Sequence, residues 1–374
     1  MIFKLIYKYF NNEATEEEVA IVFRWIEASE ENKNTFITLK KEWIISSNSK
    51  FSSELAWESF KKNHLKTFKK KSLRIWQYAA ILFIAIALSK TFSVLTESKT
   101  SPLKEVVLEL SNGKINLIKD KGEKKYLDSN GNIIAEQHNN EIIYHPIESS
   151  AKEPIYNTIT IPFGKTFKVT LSDASIVHLN AGSTLKYPEQ FVSGNTRNVY
   201  LTGEAFFEVS KDEKHPFIVH SGQVDVEVLG TKFNLSSYID DITTHCELVE
   251  GSVRMSESTN YKNNTILAPN QKSAWNNDTK KFEIENIDVK LYTAWVYGEL
   301  MFQNEPFEHV IKKLERSYGV KIKNNNPLLA KQNFTGTIKI KESSVESILD
   351  LFKLDTPFEY EINKNSIEII KPKY

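Results

Sequence analysis

The chain has 374 residues, a length that suits several domains better than one. Lys plus Arg and Asp plus Glu each number 48, so overall charge selects no class of partner, and hydrophobic residues at 40% are ample for ordinary cores. A single cysteine, Cys246, excludes an intrachain disulfide and a cysteine-based zinc cluster.

The N-terminal stretch, residues 1–74, reads as short helices. Thr15 and Glu18 have the spacing of a capping box, in which hydroxyl and carboxylate satisfy each other's backbone N–H groups. Val19, Val22, Phe23 and Ile26 then recur at i, i+3, i+4 and i+7, one face of a helix. Phe36, Leu39 and Trp43 make a second stripe, and Trp57, Phe60, His64 and Phe68 a third. A small all-α head is expected. Three helices in about 60 residues bury little surface, so leftover apolar area suits contact with a partner. Phe23, Trp25 and Trp43 are the candidate contact residues; the other reading is that they form only the head's core.

Residues 61–74 carry Lys61, Lys62, Lys66, Lys69, Lys70, Lys71 and Arg74 with no acid. Ile75–Leu95, "IWQYAAILFIAIALSKTFSVL", follows directly. As a helix at about 1.5 Å per residue it spans roughly 31 Å, close to the ~30 Å of a bilayer core. Lys90 sits near one end, where its stem can reach the interface, and Trp76 and Tyr78 sit at the other. A single transmembrane helix over 75–95 is therefore expected. The preceding cations orient it with the N-terminus cytoplasmic and the C-terminus outside, and they need no nucleic acid to explain them.

Residues 96–160 are polar and rich in turns. Asn-Gly pairs in "SNGK" (111–114) and "SNGN" (129–132) lie between apolar runs and predict hairpins. His138 and His145 flank a strand-like segment without a third ligand at metal-site spacing.

From about 158 to 285 the pattern has period two. Val199, Leu201, Gly203, Ala205, Phe207 and Val209 fall on one face of a strand, and Tyr200, Thr202, Glu204, Phe206 and Glu208 on the other. Many short alternating strands predict an all-β sandwich or solenoid over residues 103–290. Glu204 and Glu208 share a face about 13 Å apart, beyond the ~5–9.5 Å of paired catalytic carboxylates, unless a bulge at Gly203 bends the strand. His178 reads as a packed strand residue, His215-Pro216 as a turn, and Cys246 as a small buried apolar residue. No nucleophile elbow, phosphate loop or helical zinc motif appears, which argues against an enzyme.

Several collinear blocks here resemble the periplasmic domain of FecR-type anti-sigma factors. They are "NTITIPFGKTFKVTLSDASIVHLNAGSTLKYPEQF" (157–191), "RNVYLTGEAFFEVSKDEKHPFIVHSG" (197–222), "VEVLGTKFNLSSY" (226–238), "ELVEGSVRM" (247–255) and "LAPNQKSAW" (267–275). Ala174 stands where the family pattern has glycine. Gly203, Glu204, Phe207, Val209, Pro216 and Phe217 carry the family signature, which in that family is structural rather than catalytic.

Residues 298–374 predict a small α/β domain, βαβ followed by βαββ. Asn304 and Pro306 open one helix, with a stripe of Phe307, Val310, Ile311, Leu314 and Tyr318 that ends at Gly319. Ser343 and Glu346 form a capping box for a second, with Val345, Ile348, Leu349 and Phe352 inward. This part is similar to the short N-terminal module of secretins and TonB-dependent receptors, which implies strand-edge pairing with another protein.

The resemblance implies a regulator in the inner membrane. The head, with Phe23, Trp25 and Trp43, would bind an extracytoplasmic-function sigma factor. The outer domains would take a signal from the signalling domain of a TonB-dependent outer-membrane receptor, with an intramembrane or periplasmic protease a further partner. No cofactor, metal or direct nucleic-acid contact is implied. The alternative is a membrane-anchored periplasmic β-domain that binds glycan or an envelope polymer.

Overall fold

The computed structural model describes residues 2–10, 14–29, five positions within 32–39, and 104–372 apart from 128–130 and 148–152. The chain divides into two compact units, residues 1–99 and 100–374.

In the first unit, helix α1 (Ile2–Phe10) precedes α2 (Glu16–Glu27). Thr15 caps α2 as its spacing predicts: Glu18 N donates to Thr15 Oγ1 at 3.3 Å, and Thr15 N to Glu18 Oε2 at 3.1 Å. Ile6, Tyr7, Val22 and Leu39 form the buried cluster. Helix α1 lies outside the three expected stripes, although Phe3, Ile6 and Phe10 already have helical spacing.

Among the described residues the second unit begins with eighteen strands in one continuous sheet folded into two layers. The first layer runs β2 (Ile115–Ile118), β1 (Val106–Glu109), β6 (Tyr156–Thr160), β9 (Thr184–Pro188), β10 (Arg197–Glu208), β11 (Phe217–Ser221), β12 (Val224–Val228), β15 (Val253–Glu257), β16 (Asn260–Leu267). The second runs β3 (Glu123–Leu127), β4 (Ile133–His138), β5 (Glu141–Tyr144), β7 (Phe167–Thr170), β8 (Ile176–Leu179), β10 again, β13 (Lys232–Ser237), β14 (Thr243–Glu250), β17 (Gln271–Asn276), β18 (Lys281–Asn286). Inward residues of both layers make one core, with Leu201, Phe207, Phe217, Phe233 and Trp275 at its centre.

Strand β10 belongs to both layers. Its first half pairs with β9 and β11, its second with β8 and β13. The change falls at Gly203, whose φ is +98°, a conformation side chains resist. A Cβ there would lie 2.6 Å from Ser183 Oγ and 2.7 Å from Ser183 Cα. The same hydroxyl accepts from Glu204 N at 2.8 Å and donates to Glu204 O at 2.9 Å, fastening the bend. Upstream, Arg197 is buried over the Phe217 ring. Its Nη1 donates to Asp173 Oδ2 at 2.7 Å and to Ser210 O at 3.0 Å, and its Nε to His215 O at 2.9 Å. Asp173 in turn accepts from Ser175 N and Oγ across a turn where Ala174 takes φ +64°.

A helical turn (Lys290–Thr293) and a 3-10 turn (Ala294–Tyr297) lead to the C-terminal domain. It comprises β19 (Glu299–Pro306), α3 (Phe307–Tyr318), β20 (Lys321–Asn324), β21 (Asn333–Lys339), α4 (Val345–Asp355), β22 (Glu359–Asn363) and β23 (Ser366–Ile370), with a helical turn at Pro327–Ala330. β19 pairs with β21, and β23 lies between β20 and β22. The two helices pack their apolar stripes into a second core. Two caps differ from expectation. Asn304 is absorbed into an irregularity of β19, so α3 starts after Pro306. Ser344, not Ser343, caps α4, accepting from Ser347 N.

The expected fold class, with an all-α head and a single transmembrane helix beside the β and α/β domains, is corrected. The described fold is mostly β, and its helices are short. The longest have 12 residues, about 18 Å, well under a ~30 Å bilayer core. No described helix is long and apolar enough to cross a membrane. Residues 75–95, on which that expectation rested, lie outside the described residues.

Gly203→Ala is expected to destabilise the β domain by about 2–5 kcal/mol, from positive φ and overpacking together. Ala174→Gly should instead raise stability by up to ~1 kcal/mol, once unfolded-state entropy is set against relieved strain. Urea midpoints of the two variants check both.

Candidate functional site

The residues singled out by sequence do not converge on one place. Trp25, in α2, is half-buried and packs edge-on to Phe3 with ring centroids 5.8 Å apart, against the head's cluster. Phe23 lies in the same helix, but its side chain is outside the described residues, as is Trp43 altogether. Phe207 is fully buried, stacked on Phe233 at 5.0 Å and edge-on to Phe217 at 6.2 Å. Val209 is buried too, and Pro216 contributes a carbonyl that accepts from Arg197 N. These four signature positions are core and frame.

Glu204 is different. It keeps the outward face that period two assigns to it with Glu208, and there it enters a polar cluster on the outer side of the second layer. Asn180 Nδ2 donates to its Oε2 at 2.7 Å and Asn234 Nδ2 to its Oε1 at 3.0 Å. Asn234 Nδ2 also donates to the buried Glu247 at 2.9 Å, and His245 Nδ1 lies 2.6 Å from Glu247 Oε1. The cluster is roofed by the connecting segment. Trp295 Nε1 donates to Asn234 Oδ1 at 3.2 Å, and the Tyr292 ring stands edge-on to His245 while its hydroxyl meets Lys272 Nζ at 3.3 Å. Burial pushes the Glu204 carboxyl above its usual range, with the two amides only partly offsetting it. Burial pulls the His245 imidazole down, but Glu247 beside it prevails and the net shift is upward. Glu208 stays apart, paired with Lys232 at 3.1 Å and with His178 at 3.4 Å, so the two glutamates form no catalytic pair.

The remaining candidates are structural. His215 closes its turn on Asp212 at 2.7 Å. Cys246 is wholly buried, and burial raises its thiol far above the reactive range. His138 and His145 each approach Glu136 Oε2, at 3.6 and 3.8 Å, yet among the described residues no three ligands are arranged as a metal site.

Two features were not legible in sequence. One is the junction between the β domain and the C-terminal domain. Arg316, in the last turn of α3, lies 3.6 Å from the centroid of the Tyr238 ring and bonds Asp240 at 3.0 Å and Asp241 at 2.9 Å. Lys312, one helical turn earlier, reaches Asp241 at 2.6 Å and Asp240 O at 3.0 Å. Although burial acts to raise the Asp241 carboxyl, Lys312 and Arg316 hold it below its usual range. Gly164 N donates to Arg316 O at 2.7 Å. The other feature is a 350 Å³ groove between β21 and α4, lined by Phe302, Phe334, Thr337, Ile348, Leu351 and Phe352. Among the described residues β21 pairs only with β19, which leaves its other edge without a strand partner beside the groove, and Leu351 is 63% exposed there.

A protein family described as FecR protein matches residues 157–254, and one described as FecR, C-terminal matches 299–369. Two crystal structures of a candidate anti-sigma factor from Parabacteroides distasonis resemble the chain. One is 33% identical with a TM-score of 0.52, covering 58% of this chain and 99% of its own. The second is 32% identical with the same TM-score, covering 58% and 100%. No curated protein matches the chain.

The buried cluster sets a pH dependence. A raised histidine contributes stability that is complete below about pH 6.5 and is lost as pH rises through its folded-state value. Glu204, also raised, acts in the same sense in the acid range. The urea midpoint should therefore fall from pH 6 to pH 9, and His245→Gln should flatten that fall.

Proposed function

We propose a function on one premise: this chain belongs to the FecR family. It acts as a regulator of a sigma factor, by binding rather than by catalysis. The observation that carries this reading is the paired match of FecR and FecR C-terminal segments to one continuous 104–372 unit, together with the kinship to the Parabacteroides candidate anti-sigma factor. The head supplies the sigma-binding surface through the apolar residues of α1 and α2, including Phe23 and Trp25. The sigma factor is of the extracytoplasmic-function class. Co-purification of a sigma factor encoded beside this chain, with and without residues 1–74, tests the assignment. Trp25→Ala should abolish capture, and the head's helical circular dichroism shows whether it does so by unfolding, because Trp25 packs on Phe3.

Residues 104–372 lie in the periplasm and receive the signalling domain of a TonB-dependent receptor. The open edge of β21 and its apolar groove support this, since an extended segment can add a strand there and seat a side chain between Phe334 and Leu351. Leu351→Arg places a charge in the groove from an exposed position. It should weaken capture of the receptor domain at least ~10-fold and leave the thermal unfolding of the chain unchanged; undiminished capture excludes the groove as the docking site.

A further inference from the structure

The β domain and the C-terminal domain share no core. One buried cluster runs from Val106 to Trp275, the other from Leu300 to Ile369, and no residue belongs to both. Trp295, buried in the connecting segment, belongs to neither. What joins the two is largely polar: Arg316 and Lys312 on Asp240 and Asp241, the Gly164–Arg316 backbone bond, and the Trp295 indole on Asn234, beside the Tyr238 ring under Arg316, the Phe163 ring near Lys321 and a close approach of Gly164 to Gly319. We infer that Arg316, Lys312, Asp240 and Asp241 form an electrostatic clasp that holds the C-terminal domain on the β domain and is built to open.

Separating an apolar interface exposes area at about 25 cal/mol per Å², whereas ion pairs, even half-buried ones such as Arg316–Asp241, regain hydration that offsets the attraction they lose. Interfaces between domains of this polar kind permit relative motion by default. Both cores remain whole when the clasp opens, so opening requires no unfolding. The clasp is also placed to respond. Phe307, the first residue of α3, packs on Phe334 at 5.4 Å and edge-on to Phe352 at 5.6 Å, two rings that line the groove. Arg316 stands in the last turn of the same helix. The clasp does not depend on what occupies the groove, so it stands or falls separately from the receptor assignment.

The full chain tests this by limited proteolysis of the connecting segment, 287–298, with labelling of Cys246 as the control for unfolding, since that thiol is buried in the β core. The pair Lys312→Glu with Arg316→Glu, and separately Asp240→Lys with Asp241→Lys, should each speed cleavage about 10-fold while Cys246 stays unreactive. Combining all four reversals restores opposite charges and should bring the rate most of the way back to that of the unaltered chain, short of it by the lost contact of Arg316 with the Tyr238 ring. Raising salt from 0.1 to 1 M shortens the screening length from ~10 to ~3 Å and should accelerate cleavage in the unaltered chain. Unchanged cleavage in either reversed pair overturns the inference. So does a fourfold variant that cleaves as fast as the pairs, or acceleration that appears only when Cys246 becomes reactive.

Discussion

Strand β10 can serve two layers because position 203 has no side chain. At φ +98° the backbone turns from one ladder to the other within a residue, and Ser183 fills the space a Cβ would need. Without that passage the two layers would be separate sheets joined only by loops. With it, the first-layer pairs of Tyr200 and the second-layer pairs of Phe207 are fixed by one continuous segment. Just past the bend, Glu204 lies on the outward face beside the connecting segment and meets Asn180 and Asn234.

The division between apolar and polar contacts then organises the whole of residues 104–372. Each domain has its own apolar core, and the two cores share no residue among those described. Polar contacts bridge the domains. A buried cluster holding Glu204, Glu247 and His245 is costly unless every member keeps a partner, and the Trp295 and Tyr292 roof keeps them paired. Arg316 gains from a second source as well, since its guanidinium lies over the Tyr238 ring while bonding two carboxylates. A regulator needs parts that hold firmly and parts that release, and here they are chemically distinct.

How much was legible beforehand follows the range of each contact. The period-two pattern at Val199–Val209 put the right residues inside, and the Asn-Gly pair at 112–113 marked the β1–β2 hairpin. Thr15 and Glu18 announced their cap from three residues apart. Helix α1 could have been found from Phe3, Ile6 and Phe10. The cap expected at Asn304 gave way because β19 pairs with β21 through Pro306, and this pairing overrides the local cap signal, while α4 is capped by Ser344, one residue past Ser343.

Sequence alone determined the periodicity of the strands, the inward stripes of α3 and α4, and membership of a family, since each rests on residues near one another in the chain. Only the tertiary structure decided that Glu204 meets Asn234 thirty residues on, that Trp295 meets Asn234 across sixty-one, and that Arg316 meets Asp240 across seventy-six. Partners so distant in the chain are brought together by how the layers stack and where a strand bends. No local pattern encodes those choices, because the residues at either end would look equally at home on a solvated surface.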